Sequence, residues 1–126
     1  MRSFKLALLA LLVLVGIAPE AAAIDANKWR TLSELEMRSY VTATVDAWLN
    51  FHANIKKYSD PSKHSSSEAI FFDVAECIIQ RKSTYDQIFQ ATRDYVERRT
   101  DRREYNMAAV TWNAVSEMCK LSLIHI

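Results

Sequence analysis

The chain holds one glycine, Gly16, and it lies in an apolar N-terminal stretch; from residue 17 onward there is none. A domain without glycine has few positions that take positive φ cheaply, so tight two-residue hairpins are disfavoured. Proline adds little punctuation, with Pro19 near the N-terminus and Pro61 as the sole later one. The sequence therefore predicts an all-α fold, a small bundle of about four helices joined by short polar loops.

The N-terminus reads as an export signal. Arg2 and Lys5 precede an apolar run from Leu6 to Ile17, and Pro19-Glu20 leads into Ala21-Ala22-Ala23, an A-x-A cleavage site. The run is too short to span a bilayer. Residues 1–23 are thus expected to be a cleaved signal peptide, residues 24–120 a helical domain in the periplasm or outside the cell, and no membrane association is expected after cleavage. Removing Arg2, Lys5 and Glu20 leaves acidic and basic residues in balance, which argues against a nucleic-acid partner.

Export governs how the cysteines are read. Cys77 and Cys119 are the only two, and an even count in an oxidising compartment suggests one disulfide. Two free thiols or a bridge between subunits are the alternatives. An intrachain bond would stabilise by roughly 4 kcal/mol through loop entropy, an upper figure.

Four helices follow from periodicity. The first spans about Leu32 to Tyr58, with a capping box at Thr31/Glu34 or Ser33/Glu36. Its apolar face is Met37, Val41, Thr44, Trp48, Phe51 and Ile55, widened by Leu35, Val45 and Leu49. It ends before the serine-rich loop around Pro61. The second spans about Glu68 to Gln80, capped by Ser65, with Phe71, Val74 and Ile78 inward and Cys77 beside them. The third spans about Tyr85 to Arg99, capped by Ser83 or Thr84, with Ile88, Phe89, Thr92, Tyr95 and Val96 inward. The fourth spans about Arg102 to Lys120, capped by Asp101 with Glu104. Its stripe is Tyr105, Ala108, Trp112, Val115 and Cys119.

After Lys120 the hexapeptide Leu121-Ser122-Leu123-Ile124-His125-Ile126 continues no earlier period. A lone edge strand is unstable. One back-translation of the six residues matches the end of a transposase adapter used in sequencing libraries, so residues 121–126 are expected to be a non-native tail.

Catalytic constellations are hard to build. Glycine-dependent phosphate loops and nucleophile elbows need residues this chain does not offer. A cysteine nucleophile with His52 or His64 as base competes with a disulfide and two ordinary surface histidines, which export and helix-face placement favour. The carboxylate pairs Glu34/Glu36 and Glu97/Asp101 read as caps and solvated faces. The histidines lack zinc spacing. No catalytic residue, metal or cofactor is predicted, and the chain is not expected to be an enzyme. Arg98, Arg99, Arg102 and Arg103 form the densest charge run; it either grips an acidic partner surface or complements a helix C-terminus beside a solvated turn. Trp48 and Trp112 fall on apolar stripes. Trp29 precedes the first helix and is either a staple against it or an exposed partner contact.

The stretch from Tyr40 to Ala47, reading Tyr-Val-Thr-Ala-Thr-Val-Asp-Ala, resembles the first helix of the Rap/Tai immunity proteins of type VI secretion. The block from Cys77 to Cys119 resembles them too: a cysteine, a polar turn, Ser83-Thr84 opening a helix with Tyr95-Val96-Glu97, then Asn106-Met107-Ala108-Ala109 opening a last helix that ends in cysteine. The turn Ile78-Ile79-Gln80-Arg81-Lys82 departs from the proline and glycine usual there. The resemblance covers most of residues 30–119. It implies a small exported helical protein with Cys77 and Cys119 as a structural disulfide. It also implies a protein partner, a secreted peptidoglycan amidase whose cleft is blocked by the immunity protein, often as a homodimer. The contrasting expectation is a periplasmic stress chaperone of the small disulfide-linked helical type, exposing apolar surface when acid protonates its carboxylates.

Overall fold

The computed structural model describes residues 24–58, 60–63 and 65–123. The proposed signal peptide, His64 and residues 124–126 with His125 lie outside the described residues. Five α-helices form the fold among the described residues: α1 (Ala26–Trp29), α2 (Glu34–Tyr58), α3 (Ser66–Gln80), α4 (Tyr85–Arg98) and α5 (Met107–Leu123). Short 3-10 turns occupy Pro61–Lys63 and Thr100–Arg102. Among the described residues there is no strand, only an isolated bridge between Asp25 and Asn106. The chain is an all-α bundle with one disulfide, as its sequence predicts. None of these helices is long and apolar enough to cross a membrane.

Capping residues set most boundaries. Of the two boxes available to α2, Ser33/Glu36 forms: the Ser33 amide donates to Glu36 Oε2 at 2.9 Å, and Ser33 Oγ accepts from the Glu36 amide at 3.3 Å. Thr31 instead donates to the Lys28 carbonyl at 2.7 Å and closes α1. Ser65/Glu68 and Thr84/Gln87 form full capping boxes at α3 and α4, satisfying amide donors that each helix start leaves unpaired.

The last helix differs from expectation. Asp101 does not cap it; its carboxylate pairs with Arg99 and Arg102. α5 begins five residues later, where Asn106 Oδ1 accepts from the Ala108 amide at 2.8 Å. The reason is tertiary. The Arg103 and Tyr105 carbonyls accept from the Asn27 and Ala26 amides, and the Met107 amide donates to the Ile24 carbonyl at 2.9 Å. The N-terminal segment thus takes the backbone groups that an earlier helix start would use. The buried stripe is correspondingly rotated to Met107, Val110, Thr111, Ala114, Val115 and Cys119, with Tyr105 exposed and Trp112 half-buried. The backbone of α5 also continues through Leu121–Leu123, where the sequence pattern predicts a break after Lys120.

The core forms around α4, whose five predicted inward residues, Ile88, Phe89, Thr92, Tyr95 and Val96, are all buried. Val41 and Val45 of α2 and Val110 and Val115 of α5 close over them. Trp29 is 1% exposed. Its ring lies 6.1 Å from Phe89 and its Nε1 donates to the Met37 carbonyl at 3.4 Å. It is a staple, not the exposed partner contact that was the other reading. Burying a side chain of this size contributes about 2–3 kcal/mol. On the rim, Arg38 of α2 pairs with Asp86 at 2.6 Å, and the Tyr85 hydroxyl donates to the Asp46 carboxylate.

α2 presents Val41, Val45 and His52 to the interior, with Trp48 half-buried. Leu35, at 75% exposure, and Phe51, at 55%, were expected inside and lie outside. α3 buries only Val74, Ala75 and Ile78. Its attachment is reinforced by the Cys77–Cys119 disulfide, whose Cα atoms are 6.2 Å apart. The Arg81 guanidinium also donates to the Met118 carbonyl at 3.0 Å, so two links hold the late turns of α5 to the end of α3.

The turn between α3 and α4 shows how a chain without a local glycine ends a helix. Lys82 takes φ 51°. Its amide bonds to the Ile79 carbonyl and the Ser83 amide to the Ile78 carbonyl, each at 3.1 Å. This is the Schellman motif, with lysine in the position that usually holds glycine. Lys82→Gly is expected to stabilise the fold by about 1 kcal/mol, the steric cost of a β-carbon in left-handed geometry, as read by urea unfolding. Cys119→Ala is expected to cost up to about 4 kcal/mol in oxidising buffer and little in reducing buffer.

Candidate interaction surface

The arginine run was one candidate for partner contact. All four guanidiniums face acids of their own chain. Arg98 Nη2 lies 2.9 Å from Glu117, Arg99 grips Asp101 through two bonds of 2.9 Å, Arg102 adds a third contact to Asp101 at 3.3 Å, and Arg103 lies 3.7 Å from Glu97. Arg98 and Arg99 also lie over the Tyr95 ring, and Arg102 over Tyr105. Opposite charge held in this geometry works both ways. The Asp101 carboxyl is lowered to about 2, chiefly by its hydrogen bonds from Arg99, and the Arg99 guanidinium is raised by the same bonds. The run is a braced corner between α4 and α5.

The cysteines and carboxylate pairs weighed as catalytic in the sequence have other partners in the structure. Both sulfurs are in the disulfide, so neither is a thiol nucleophile. Glu36 caps α2, Glu34 pairs with Arg38, and Glu97 pairs with Arg30 and Arg103. Among the described residues no three His, Cys, Asp or Glu side chains converge in a way that could hold a metal.

A different surface stands out, built from α2, α3 and α5. Phe71 stacks on Trp112 at 5.6 Å with nearly parallel planes. Trp48 meets Trp112 edge-on at 5.3 Å, and Phe51 meets Phe71 edge-on at 5.3 Å. Such pairs contribute about 0.5–1.5 kcal/mol each beyond area burial. The ladder is not sealed: Phe51 is 55% exposed, Ile70 beside it 57%, and Phe71, Trp48 and Trp112 are half-buried. Next to it, between α3 and α5, runs a groove of about 700 Å³ lined by Ile70, Asp73, Cys77, Trp112, Ser116 and Cys119. The rotated phase of α5 puts Trp112 on this outer edge.

His52 follows Phe51 on α2 and points inward. It was expected on the surface and is 3% exposed. Its ring lies 4.8 Å from Phe72, and Nε2 is 3.1 Å from Glu76 Oε1, off the hydrogen-bond direction. Lys56 Nζ reaches the same oxygen at 3.0 Å. The Glu76 carboxyl is held below the usual carboxylate range, first by the Lys56 hydrogen bond and also by the charges of Lys56 and His52. The sequence does carry a sign of this residue: His52 continues the buried steps from Val41 through Val45 and Trp48, while the more apolar Phe51 beside it draws the eye.

Comparison of the chain with family models, curated proteins and solved structures returned no match.

The braced corner has a pH signature. A carboxylate depressed on folding stabilises the fold above its unfolded pKa, and that contribution is lost as pH falls through the folded value. Asp101→Asn should flatten the dependence of melting temperature on pH between about 4 and about 2, with the wild-type chain losing stability across that interval. A melting series in both proteins checks this.

Proposed function

We propose that the chain is an exported helical binding protein of the immunity type, which captures a cell-wall amidase delivered into the periplasm and blocks its active cleft. The observation that carries the binding role is the open aromatic ladder of Phe51, Phe71 and Trp112 beside a groove. Aromatic side chains that are already ordered by mutual contact bury large area at small entropic cost, which is the chemistry of interface hot spots. The Cys77–Cys119 bond suits an oxidising compartment, and the N-terminal sequence reads as an export signal. The amidase comes from the resemblance to the Rap/Tai proteins.

The chaperone reading has one feature in its favour, the exposed apolar side chains Leu35, Phe51 and Ile70. Against it, the Arg99–Asp101 pair outlasts mild acid, since Asp101 protonates only at about 2. An acid-triggered opening would need a different trigger from this corner.

The test is inhibition. The full chain, exported with its own N-terminus, is mixed with a type VI amidase encoded beside its gene, and release of peptidoglycan fragments is followed. Stoichiometric loss of hydrolysis supports immunity. Unimpeded hydrolysis, with suppression of client aggregation at low pH instead, would reverse the choice. Phe51→Ala is expected to weaken the complex by about tenfold or more, the usual effect of truncating an aromatic anchor, with a fall in melting temperature limited to the lost edge contact with Phe71 because this ring is otherwise largely exposed.

A further inference from the structure

This inference rests on the reading that the chain binds a protein, and it specifies the chemistry of what is bound. α3 and α5 run side by side in the same direction, as Phe71 meets Trp112 at one end and Cys77 meets Cys119 toward the other. The groove between them therefore has two distinct ends. At the Phe71–Trp112 end its apolar surface is Ile70 and the exposed edge of Trp112.

The charge on the α3 wall is of one sign. From Ser66 to Gln80 the helix carries Glu68, Asp73 and Glu76 and no lysine or arginine. Glu68 is engaged in the capping box. Asp73 and Glu76 both line the groove, three residues apart, a spacing that puts neighbours on one helix face. Glu76 is kept ionised and fixed in place by Lys56. Asp73 is exposed and has no ion-pair or hydrogen-bond partner among the described residues. It is a carboxylate set at the mouth of an apolar slot with its charge uncompensated. The basic residues of the groove are at the opposite end, where Arg81 is bound to the Met118 carbonyl and Lys120 follows Cys119.

We infer that the groove between α3 and α5 takes an apolar segment of a partner protein carrying lysine or arginine beside its apolar side chains, with the cation placed at Asp73. Apolar filling of the slot against Ile70 and Trp112 supplies affinity, and the acidic wall selects for positive flanks and sets the direction in which the segment lies. A second copy of this chain is the competing occupant, because Lys120 of a reversed copy would also offer a cation to Asp73.

The test uses the full oxidised chain and two synthetic amphipathic helical peptides of equal length, one of leucine and lysine, the other of leucine and glutamate. Binding is read by tryptophan fluorescence and calorimetry, and the oligomeric state by sedimentation. The leucine–lysine peptide is expected to bind at least about tenfold more tightly than the glutamate one, with a preference that shrinks as salt rises. Asp73→Lys should reverse the preference, Ile70→Glu should abolish binding of both peptides, and Glu104→Lys, on the turn before α5, should do neither. Asp73 and Ile70 are exposed, so these variants are expected to fold, and their melting temperatures check it. Equal binding of the two peptides, or a preference that follows Glu104 instead of Asp73, would overturn the inference. A dimer that Ile70→Glu converts to monomer would give the groove to a second copy and overturn it as well. An amidase inhibited equally by the wild type and Ile70→Glu would remove the groove and leave the immunity reading standing. A groove that selects the lysine peptide in a chain that inhibits no amidase would do the reverse.

Discussion

The contact between Trp29 and Phe89 joins the two ends of the described chain to its centre. Phe89 belongs to the buried stripe of α4, and Trp29 brings α1 down onto it. From that point the rest follows by geometry. With α1 docked, residues 24–27 lie beside residues 103–107 and take their backbone hydrogen bonds. That pairing fixes where α5 starts. The start of α5 fixes its rotation, and the rotation decides that Met107, Val110 and Val115 go inward while Trp112 goes to the edge. The position of Trp112 at the edge of the open aromatic ladder is thus a distant consequence of burying one tryptophan.

α3 stands in a different relation to the bundle. It buries three residues, too few to hold a 15-residue helix firmly by apolar area alone, at about 25 cal/mol per Å². A covalent link to α5, the Arg81 reach to Met118 and the Phe71–Trp112 stack make up the difference. These attachments lie along the edge of α3 that meets α5, and Ile70 and Asp73 stay exposed on that same edge, where they line the groove. A helix fixed by a few strong points and little area is well suited to present a surface, since its own core demands few of its side chains.

How far the sequence foretold this can be argued element by element. α4 was fully legible: a strong capping box and a clean apolar stripe against a charged opposite face leave one phase to choose. α2 and α3 were legible in extent. In α2 the face was misplaced at Leu35 and at Phe51, both exposed, and Phe51 is more apolar than the buried His52, whose neighbour Glu76 comes from another helix. The start of α5 was not legible. Asp101 and Glu104 have the spacing of a cap, and nothing local reveals that residues 24–27 compete for the same backbone groups. For the arginine run the sequence left two readings open; the pairing of Arg99 and Arg102 with Asp101 is local, whereas the Arg98–Glu117 pair depends on how the next helix packs. The aromatic ladder was visible only as separate core residues. Its openness depends on how three helices meet, which is set by contacts distant in sequence.

The disulfide has a mechanical meaning. It joins residues separated by 42 positions, and the closed loop contains all of α4. A pull applied at the two ends of the chain passes from Cys119 directly to Cys77 and bypasses that loop. The unfolded chain would stretch about 140 Å less than its length allows, at roughly 3.3–3.6 Å per residue. The central helix, with the buried stripe on which the core is built, would bear no tension in the extended state. Any machine that threads the protein through a narrow channel from one end would have to admit more than one strand of chain at once, or break the bond first.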